Sequence, residues 1–148
     1  MIELPSENDT ERLAKVLALS LPPGSLLLLR GPLGAGKTTL VRHLARALGF
    51  NGRVTSPTYT LMHTYPTPRG DLLHVDVYRL PKPADVYDLG FEDARESAYL
   101  TAVEWGDPAD FPGALELVLQ PSGENSRRVE LLAHDPNLQS VVAQIVGA

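Results

Sequence analysis

The clearest hydrophobic pattern in the chain is an unbroken run of four leucines, residues 26–29, between Ser25 and Arg30. A continuous apolar run of this length is typical of a strand covered on both faces in a parallel sheet. The stretch over residues 37–48 instead repeats apolar residues at helical spacing and stops at Gly49, which predicts an amphipathic helix. A buried strand followed by such a helix indicates an α/β fold.

Further strands and helices are predicted on both sides of this pair. Ser6 or Asp9 can cap a first helix that runs through about Leu19. Residues 54–65 are rich in β-formers, but Pro57 excludes a regular central strand, so a shaped loop before a strand is expected. The remaining strands are expected at residues 72–78, 100–105, 115–120 and 127–133, the last two as a C-terminal β-hairpin, and the remaining helices at 84–89, 92–97 and, closing the chain, 136–146.

The composition fits a single globular domain over residues 1–148, with 43% apolar and 21% charged residues. The absence of cysteine excludes disulfides, thiolate catalysis and zinc-thiolate sites. No secretion signal is visible at the N-terminus and no apolar run reaches the length of about 18 residues that a bilayer requires, so we expect a cytoplasmic protein with no membrane partner. A formal net charge of −5 argues against broad electrostatic binding of nucleic acid.

The segment between the leucine strand and the following helix has the spacing of a phosphate-binding P-loop. Its glycines let the backbone curl around phosphates with the N–H groups pointing inward. Lys37 can supply positive charge to the β- and γ-phosphates, and the Thr38 hydroxyl can bind Mg²⁺. These features together predict a nucleoside triphosphate site formed by Gly31, Leu33, Gly34, Ala35, Gly36, Lys37 and Thr38. The structural alternative is a plain glycine-rich turn with a solvated lysine.

Two carboxylates stand near the ends of predicted core strands, where a P-loop NTPase needs an acidic group near its Mg²⁺. Asp76 follows the apolar run 72–75, and Glu104 follows Thr101-Ala102-Val103. Spacing alone does not assign their roles, because a strand-end carboxylate is often only a helix cap or a surface charge.

The chain resembles the TsaE (YjeE) family over nearly its whole length. The motifs that carry the resemblance are, in order, residues 31–39, Ser56-Pro57-Thr58-Tyr59, residues 74–80, Leu89-Gly90-Phe91-Glu92 and Val103-Glu104-Trp105. The resemblance implies a P-loop NTPase fold with a mixed, mostly parallel central sheet flanked by helices. It also implies an ATPase that uses ATP and Mg²⁺ and acts with the TsaB and TsaD proteins to form the threonylcarbamoyl group on adenosine 37 of tRNA, with tRNA contacted indirectly through the complex. We expect slow hydrolysis by the protein alone, because the sequence does not show a complete set of groups that stabilise the transition state.

The resemblance also assigns roles to individual residues. Lys37 would neutralise phosphate charge and Thr38 would bind Mg²⁺, with Thr39 beside the α-phosphate. Asp76 would position the attacking water, and Glu104 would be associated with Mg²⁺. The other residues implied to take part are Trp105 and Thr10 in nucleotide binding and Ser56–Tyr59 as a loop that senses the γ-phosphate.

Several alternatives stay open at this point. His74 is expected to be a hydrogen-bonded structural histidine, and the sequence does not show whether Arg79, Arg127 or Arg128 reaches a phosphate. A small-molecule or nucleotide kinase would share the P-loop, although no inserted segment looks large enough for an acceptor lid. A binding-only nucleotide switch is a second alternative, but the chain has no Asn-Lys-x-Asp guanine-reading motif.

Overall fold

The computed structural model describes residues 2–32, 34–54 and 61–147 and forms a seven-stranded sheet. Its strands are β1 (Ile2–Leu4), β2 (Ser25–Arg30), β3 (Met62–Thr67), β4 (Gly70–Asp76), β5 (Ala98–Glu104), β6 (Leu115–Pro121) and β7 (Arg127–Ala133). They lie in the order β1-β7-β6-β2-β5-β4-β3. The four central strands, β6, β2, β5 and β4, run parallel, and the flanking strands pair antiparallel.

Helices cover both faces of this sheet. They are α1 (Glu7–Ser20), α2 (Lys37–Ala47), a 3-10 helix (Pro83–Leu89), α3 (Phe91–Glu96) and α4 (Pro136–Gly147). Apolar residues of α1, α2 and α4 share one core with one sheet face, and those of the 3-10 helix and α3 share a second core with the other face. The mixed α/β fold, the C-terminal hairpin and the closing helix are therefore confirmed.

The four-leucine run occupies the centre of this arrangement. Leu27 and Leu29 belong to the core beneath α1 and α2, whereas Leu26 and Leu28 belong to the opposite core with Phe91. Successive side chains of a strand point to opposite faces, so a strand buried on both sides must be apolar at every position. The prediction of a doubly covered strand at β2 is thus confirmed.

Some boundaries and elements differ from the sequence prediction. Strand β1 was not predicted; it has three residues, too few to show a period, and it forms by pairing with β7. The predicted C-terminal end of the loop, at Tyr65, is wrong, because β3 already begins at Met62. Its Pro66 is tolerated since β3 is an edge strand. The strand predicted over residues 72–78 ends at Asp76. In the described part of the chain no helix is long and apolar enough to span a membrane.

Ionic contacts around the buried Glu116 connect β6 to the end of β2, directly before the predicted P-loop. Glu116 of β6 is only 3% exposed. Its carboxylate accepts a 2.7 Å hydrogen bond from Nη1 of Arg30, and Nε2 of His134 lies 2.8 Å from its other oxygen. Burial raises the pKa of Glu116 most, but the hydrogen bonds from His134 and Arg30 together outweigh it, so the pKa lies below its ordinary value.

Replacing Glu116 by Gln should therefore destabilise the fold by about 1–3 kcal/mol at pH 7. The neutral amide has a single acceptor oxygen, so it cannot accept charge-assisted hydrogen bonds from both Arg30 and His134. A folded-state pKa below the unfolded value gives stability that is present above the ordinary carboxyl pKa of about 4.3 and is lost as the pH falls through the lower folded pKa. In urea unfolding, the free energy of unfolding of Glu116→Gln should be lower than that of wild type at pH 7, and the difference should shrink as the pH falls. Exposed Glu130→Gln on β7 is the matched control, and equal stability of both variants at pH 7 would contradict this account.

Candidate functional site

The described glycines between β2 and α2 have the backbone conformations expected in an anion-binding P-loop. Gly31 has a φ of +147°, and a Cβ there would collide with the carbonyl oxygen of Leu119 on β6. Gly36 caps the N-terminus of α2 with a φ of +99°. These conformations favour glycine, and they direct the loop over the positive end of α2.

Lys37, the first residue of α2, places its ammonium group inside this loop. The side chain is only 5% exposed. Its Nζ donates a 2.5 Å hydrogen bond to the carbonyl oxygen of Gly31 and lies 3.5 Å from the centre of the Trp105 ring. Burial lowers the pKa of Lys37, while the negative charges of Glu104 and Asp76 raise it in part. The ammonium is thus poorly hydrated and close to two acids.

Those two acids are brought together by strand register. Asp76 and Glu104 are directly paired residues at the carboxyl ends of the parallel strands β4 and β5, and Glu104 is also paired with Leu29 of β2. Paired residues of parallel strands point to the same face. The two carboxylates therefore lie side by side next to the strand that leads into the P-loop.

Both carboxylates are buried, Asp76 at 6% and Glu104 at 3% exposure. Burial raises the pKa of Asp76, and the neighbouring Glu104 raises it further, whereas the backbone hydrogen bond from Tyr78, His74 and Lys37 act in the opposite direction. The Tyr78 N–H donates to Oδ1 of Asp76 at 2.9 Å, which fixes the orientation of this carboxylate.

Glu104 is held between a histidine and the P-loop threonine. Nε2 of His74 lies 2.5 Å from Oε2 of Glu104, and the Thr38 hydroxyl donates to the same oxygen at 3.4 Å. A carboxylate only accepts hydrogen bonds, so Nε2 of His74 carries the hydrogen when Glu104 is ionised. His74 is fully buried, as expected of a structural histidine, and its partner is a candidate site residue.

Carboxylate and hydroxyl oxygens are the hard donors that Mg²⁺ prefers, and Mg²⁺ usually takes one or two carboxylates together with phosphate oxygens and waters. Glu104 and Thr38 fit such a site by their chemistry and their proximity. Within the described ranges, no three His, Asp or Glu side chains are grouped so as to hold a metal by themselves.

Trp105 closes one side of the loop. It directly follows β5 and has a left-handed backbone, with a φ of +67°, which is uncommon for a bulky residue. Its ring packs on Tyr78 with centroids 5.0 Å apart and also contacts Lys37. A strained backbone at such a place is typical of a functional position held by its surroundings.

A cavity of about 400 Å³ joins most of the residues singled out from the sequence. It is lined by Gly34, Gly36, Lys37, Thr38, Thr39, Asp76, Tyr78, Glu104, Trp105 and Arg127. A smaller cavity of about 60 Å³ adjoins it and brings Thr10 of α1 together with Thr39 and Gly36. Ala35 is buried beneath the loop, and its N–H donates to the carbonyl oxygen of Pro32.

Some expected site residues are not placed here. Leu33 and the Ser56–Tyr59 loop lie outside the described residues. Arg79 is exposed just beyond β4. Sequence reasoning left Arg127 unassigned and passed over Tyr78, although both line the main cavity. The sequence did contain a signal for Tyr78, because this residue comes two positions after Asp76 at a strand end. It contained none for Arg127, because the position of Arg127 depends on how β7 pairs.

Together, the central parallel strands, the loop at the end of β2 and the helix that follows it define a protein of the P-loop NTPase fold class. Residues 4–129 match the family model described as "Threonylcarbamoyl adenosine biosynthesis protein TsaE". The chain therefore belongs to the TsaE family.

Individual relatives agree with this assignment. The chain is 38% identical over 138 residues to the tRNA threonylcarbamoyladenosine biosynthesis protein TsaE of Rickettsia felis, which covers 90% of this chain and 80% of that protein. It is 40% identical over 130 residues to the protein of the same name from Aquifex aeolicus, covering 86% and 92%. A crystal structure of the Bacillus protein YdiB is similar with a TM-score of 0.80 and 26% identity, covering 99% of this chain and 93% of that one.

The His74–Glu104 contact predicts energetic coupling between the two side chains. Each single change to Ala leaves a buried polar partner unsatisfied, whereas the double change removes both, so a double-mutant cycle in urea should give a coupling energy of about 1 kcal/mol or more. His74→Ala combined with Ala at exposed Glu130 serves as a distant control pair. Additive effects at His74 and Glu104 would show that their contact does not stabilise the fold.

Proposed function

We propose that this protein binds and hydrolyses ATP with Mg²⁺, and that it supports formation of the threonylcarbamoyl group on tRNA adenosine together with TsaB and TsaD. The observation that carries the proposal is the meeting of Lys37, Asp76 and Glu104 in one cavity beside the P-loop. These three residues come from three different elements, and their combination is the one that phosphoryl transfer requires.

Phosphate binding is the first step that the geometry supports. The loop backbone and the N-terminus of α2 offer N–H groups to an anion, and Lys37 adds a full positive charge. The Lys37 ammonium contacts the Gly31 carbonyl and the Trp105 ring. Phosphate oxygens are stronger partners than these neutral groups, so binding of nucleotide would draw Lys37 toward the phosphates.

Thr38 and Glu104 would hold Mg²⁺ or its water ligands. Bound Mg²⁺ supplies charge neutralisation at the β- and γ-phosphates. Glu104 is kept in place for this role by His74, whose ring lies 2.5 Å from its carboxylate. A ligand carboxylate oriented by such an outer hydrogen bond is better preorganised than a free one.

Asp76 is the residue best placed to orient the attacking water. Its Oδ1 is fixed by the Tyr78 N–H, and burial raises its pKa, which makes it a stronger hydrogen-bond acceptor for water than an exposed aspartate. The water oxygen would form a bond to the γ-phosphorus while the bond from that phosphorus to the β–γ bridging oxygen breaks. The products would be ADP and inorganic phosphate, and the proton lost by the water would pass to the phosphate or to solvent. Among the described residues that line the main cavity, Arg127 is the one arginine. We therefore expect slow turnover by the protein alone.

The pathway part of the proposal is supported by family membership. The relatives from Rickettsia felis and Aquifex aeolicus are named as tRNA threonylcarbamoyladenosine biosynthesis proteins. The net charge of −5 favours a protein partner over direct contact with tRNA. ATP turnover by this subunit would then be regulated by TsaB and TsaD, with the tRNA reached through the complex.

The steady-state ATPase rate of the protein alone, and with TsaB and TsaD from the same source, tests both parts. Wild type should be slow alone and faster with the partners. Lys37→Ala should weaken ATP binding about 10- to 100-fold, since it removes a charged phosphate contact. Asp76→Ala should keep ATP affinity and reduce the hydrolysis rate by about 10²- to 10⁴-fold, as expected when a group that positions the nucleophile is lost.

Asp71→Ala is the matched control for Asp76, because Asp71 lies on the same strand at the opposite end. Wild-type hydrolysis by Asp76→Ala would refute its role with water. Partner stimulation that survives in Lys37→Ala would contradict a P-loop-driven ATPase. Transfer of the γ-phosphate to a small-molecule acceptor, with no free phosphate released, would instead identify a kinase.

A further inference from the structure

Arg127, the first residue of β7, reaches the P-loop from a distant part of the chain. Strand β6 runs parallel to β2, and β7 runs antiparallel to β6, with Arg127 paired to Pro121. The start of β7 therefore lies at the same edge of the sheet as the end of β2. This pairing places a cation from the C-terminal hairpin beside a loop that lies about ninety residues earlier in the sequence.

The guanidinium lies directly on the loop backbone. A Cβ added to Gly36 would be 2.7 Å from Nε of Arg127 and 3.6 Å from its Cζ. Gly36 is the residue that caps the N-terminus of α2, where the anion-binding N–H groups begin. Nη1 of Arg127 donates to the carbonyl oxygen of Ser126 at 3.0 Å, which anchors the group at this position.

Among the residues that the structure describes, no carboxylate lies within ion-pair distance of the Arg127 guanidinium, whereas Nε of the adjacent Arg128 pairs with Glu3 at 2.9 Å. Arg127 is half-buried at the margin of a cavity, while Arg128 is exposed on the other side of the strand. A guanidinium presents several donors in a planar fork that matches phosphate oxygens.

Arg127 borders both cavities at the loop. It borders the main cavity, and it also borders the smaller one with Thr10, Thr39 and Asn125, from which both Asp76 and Glu104 are absent. In a P-loop the lysine contacts the β- and γ-phosphates, so the side away from Lys37 and the carboxylates faces the α-phosphate and ribose.

We propose that Arg127 is a nucleotide-binding residue that holds the phosphate chain on its ribose side, where the smaller cavity adjoins the loop. The inference rests on the proposed nucleotide binding and adds a residue to it. A cation on this side contacts groups that ATP and ADP share. Arg127 therefore contributes to the affinity for both nucleotides and does not act as an arginine finger on the γ-phosphate. It also joins the β6–β7 hairpin to the bound nucleotide.

Isothermal titration calorimetry with ATP and with ADP, both in Mg²⁺, tests this assignment. Arg127→Ala should bind both nucleotides about 10- to 100-fold more weakly, as expected for loss of a charge-assisted phosphate contact. Arg127→Gln, which keeps most of the side chain's length and packing but lacks the charge, should show a similar loss. Arg127→Lys should recover part of the affinity, since it restores the charge without the bidentate fork.

Arg128→Ala is the matched control, because it removes the neighbouring arginine from the opposite side of the strand and should leave both affinities unchanged. Wild-type affinity in Arg127→Ala and Arg127→Gln would overturn the proposal. A loss for ATP with ADP binding unchanged would also overturn it, since it would place the guanidinium at the γ-phosphate. If wild type bound neither nucleotide, the proposed function itself would fail, and the role of Arg127 with it.

Discussion

The site depends on a buried ammonium group that is held beside two buried carboxylates. Lys37, Asp76 and Glu104 are each at most 6% exposed. Burying charges costs free energy unless each finds a partner, and removing one member of such a group leaves the others uncompensated. The directions of the pKa shifts show the same balance: burial lowers the pKa of Lys37 and raises that of Asp76, while the charge of each moves the pKa of the other back toward its ordinary value.

The sheet creates this arrangement through register. Pairing of β2 with β5, and of β5 with β4, aligns the ends of three parallel strands, so the P-loop and both carboxylates meet at one edge. In open parallel sheets ligands bind at this edge, outside the carboxyl ends of the strands. The pairing of β6 with β7 then turns the chain back and adds Arg127 to the same edge. The residues around the loop thus come from the parallel strands β4 and β5 and from the antiparallel strand β7.

The sequence predicted those elements whose signals are carried by adjacent residues. The leucine run of β2, the glycine spacing of the loop and the stripe of α2 are properties of adjacent residues, and they predicted these elements correctly. Asp76 and Glu104 were singled out because each stands near the end of a predicted core strand. Their direct pairing is a matter of tertiary structure that neither segment shows alone.

The features that sequence reasoning missed depend on distant parts of the chain. Strand β1 is short and exists because β7 offers it an edge. The hydrogen bond from His74 to Glu104 requires β4 and β5 to be neighbours in one register. Arg127 and Arg128 are adjacent and identical in type, yet one lies on the P-loop and the other pairs with Glu3. Only the alternation of side chains along a correctly paired β7 distinguishes them.

The most direct test of the account is a crystal structure of the protein with Mg²⁺ and a non-hydrolysable ATP analogue. We expect the Nζ of Lys37 to leave the Gly31 carbonyl and the Trp105 ring and to contact the β- and γ-phosphates. We also expect Thr38 and Glu104 at the metal or its waters, and Asp76 facing the γ-phosphate. A nucleotide bound outside the P-loop, or Lys37 still held by Gly31 and Trp105 with the phosphates elsewhere, would contradict it.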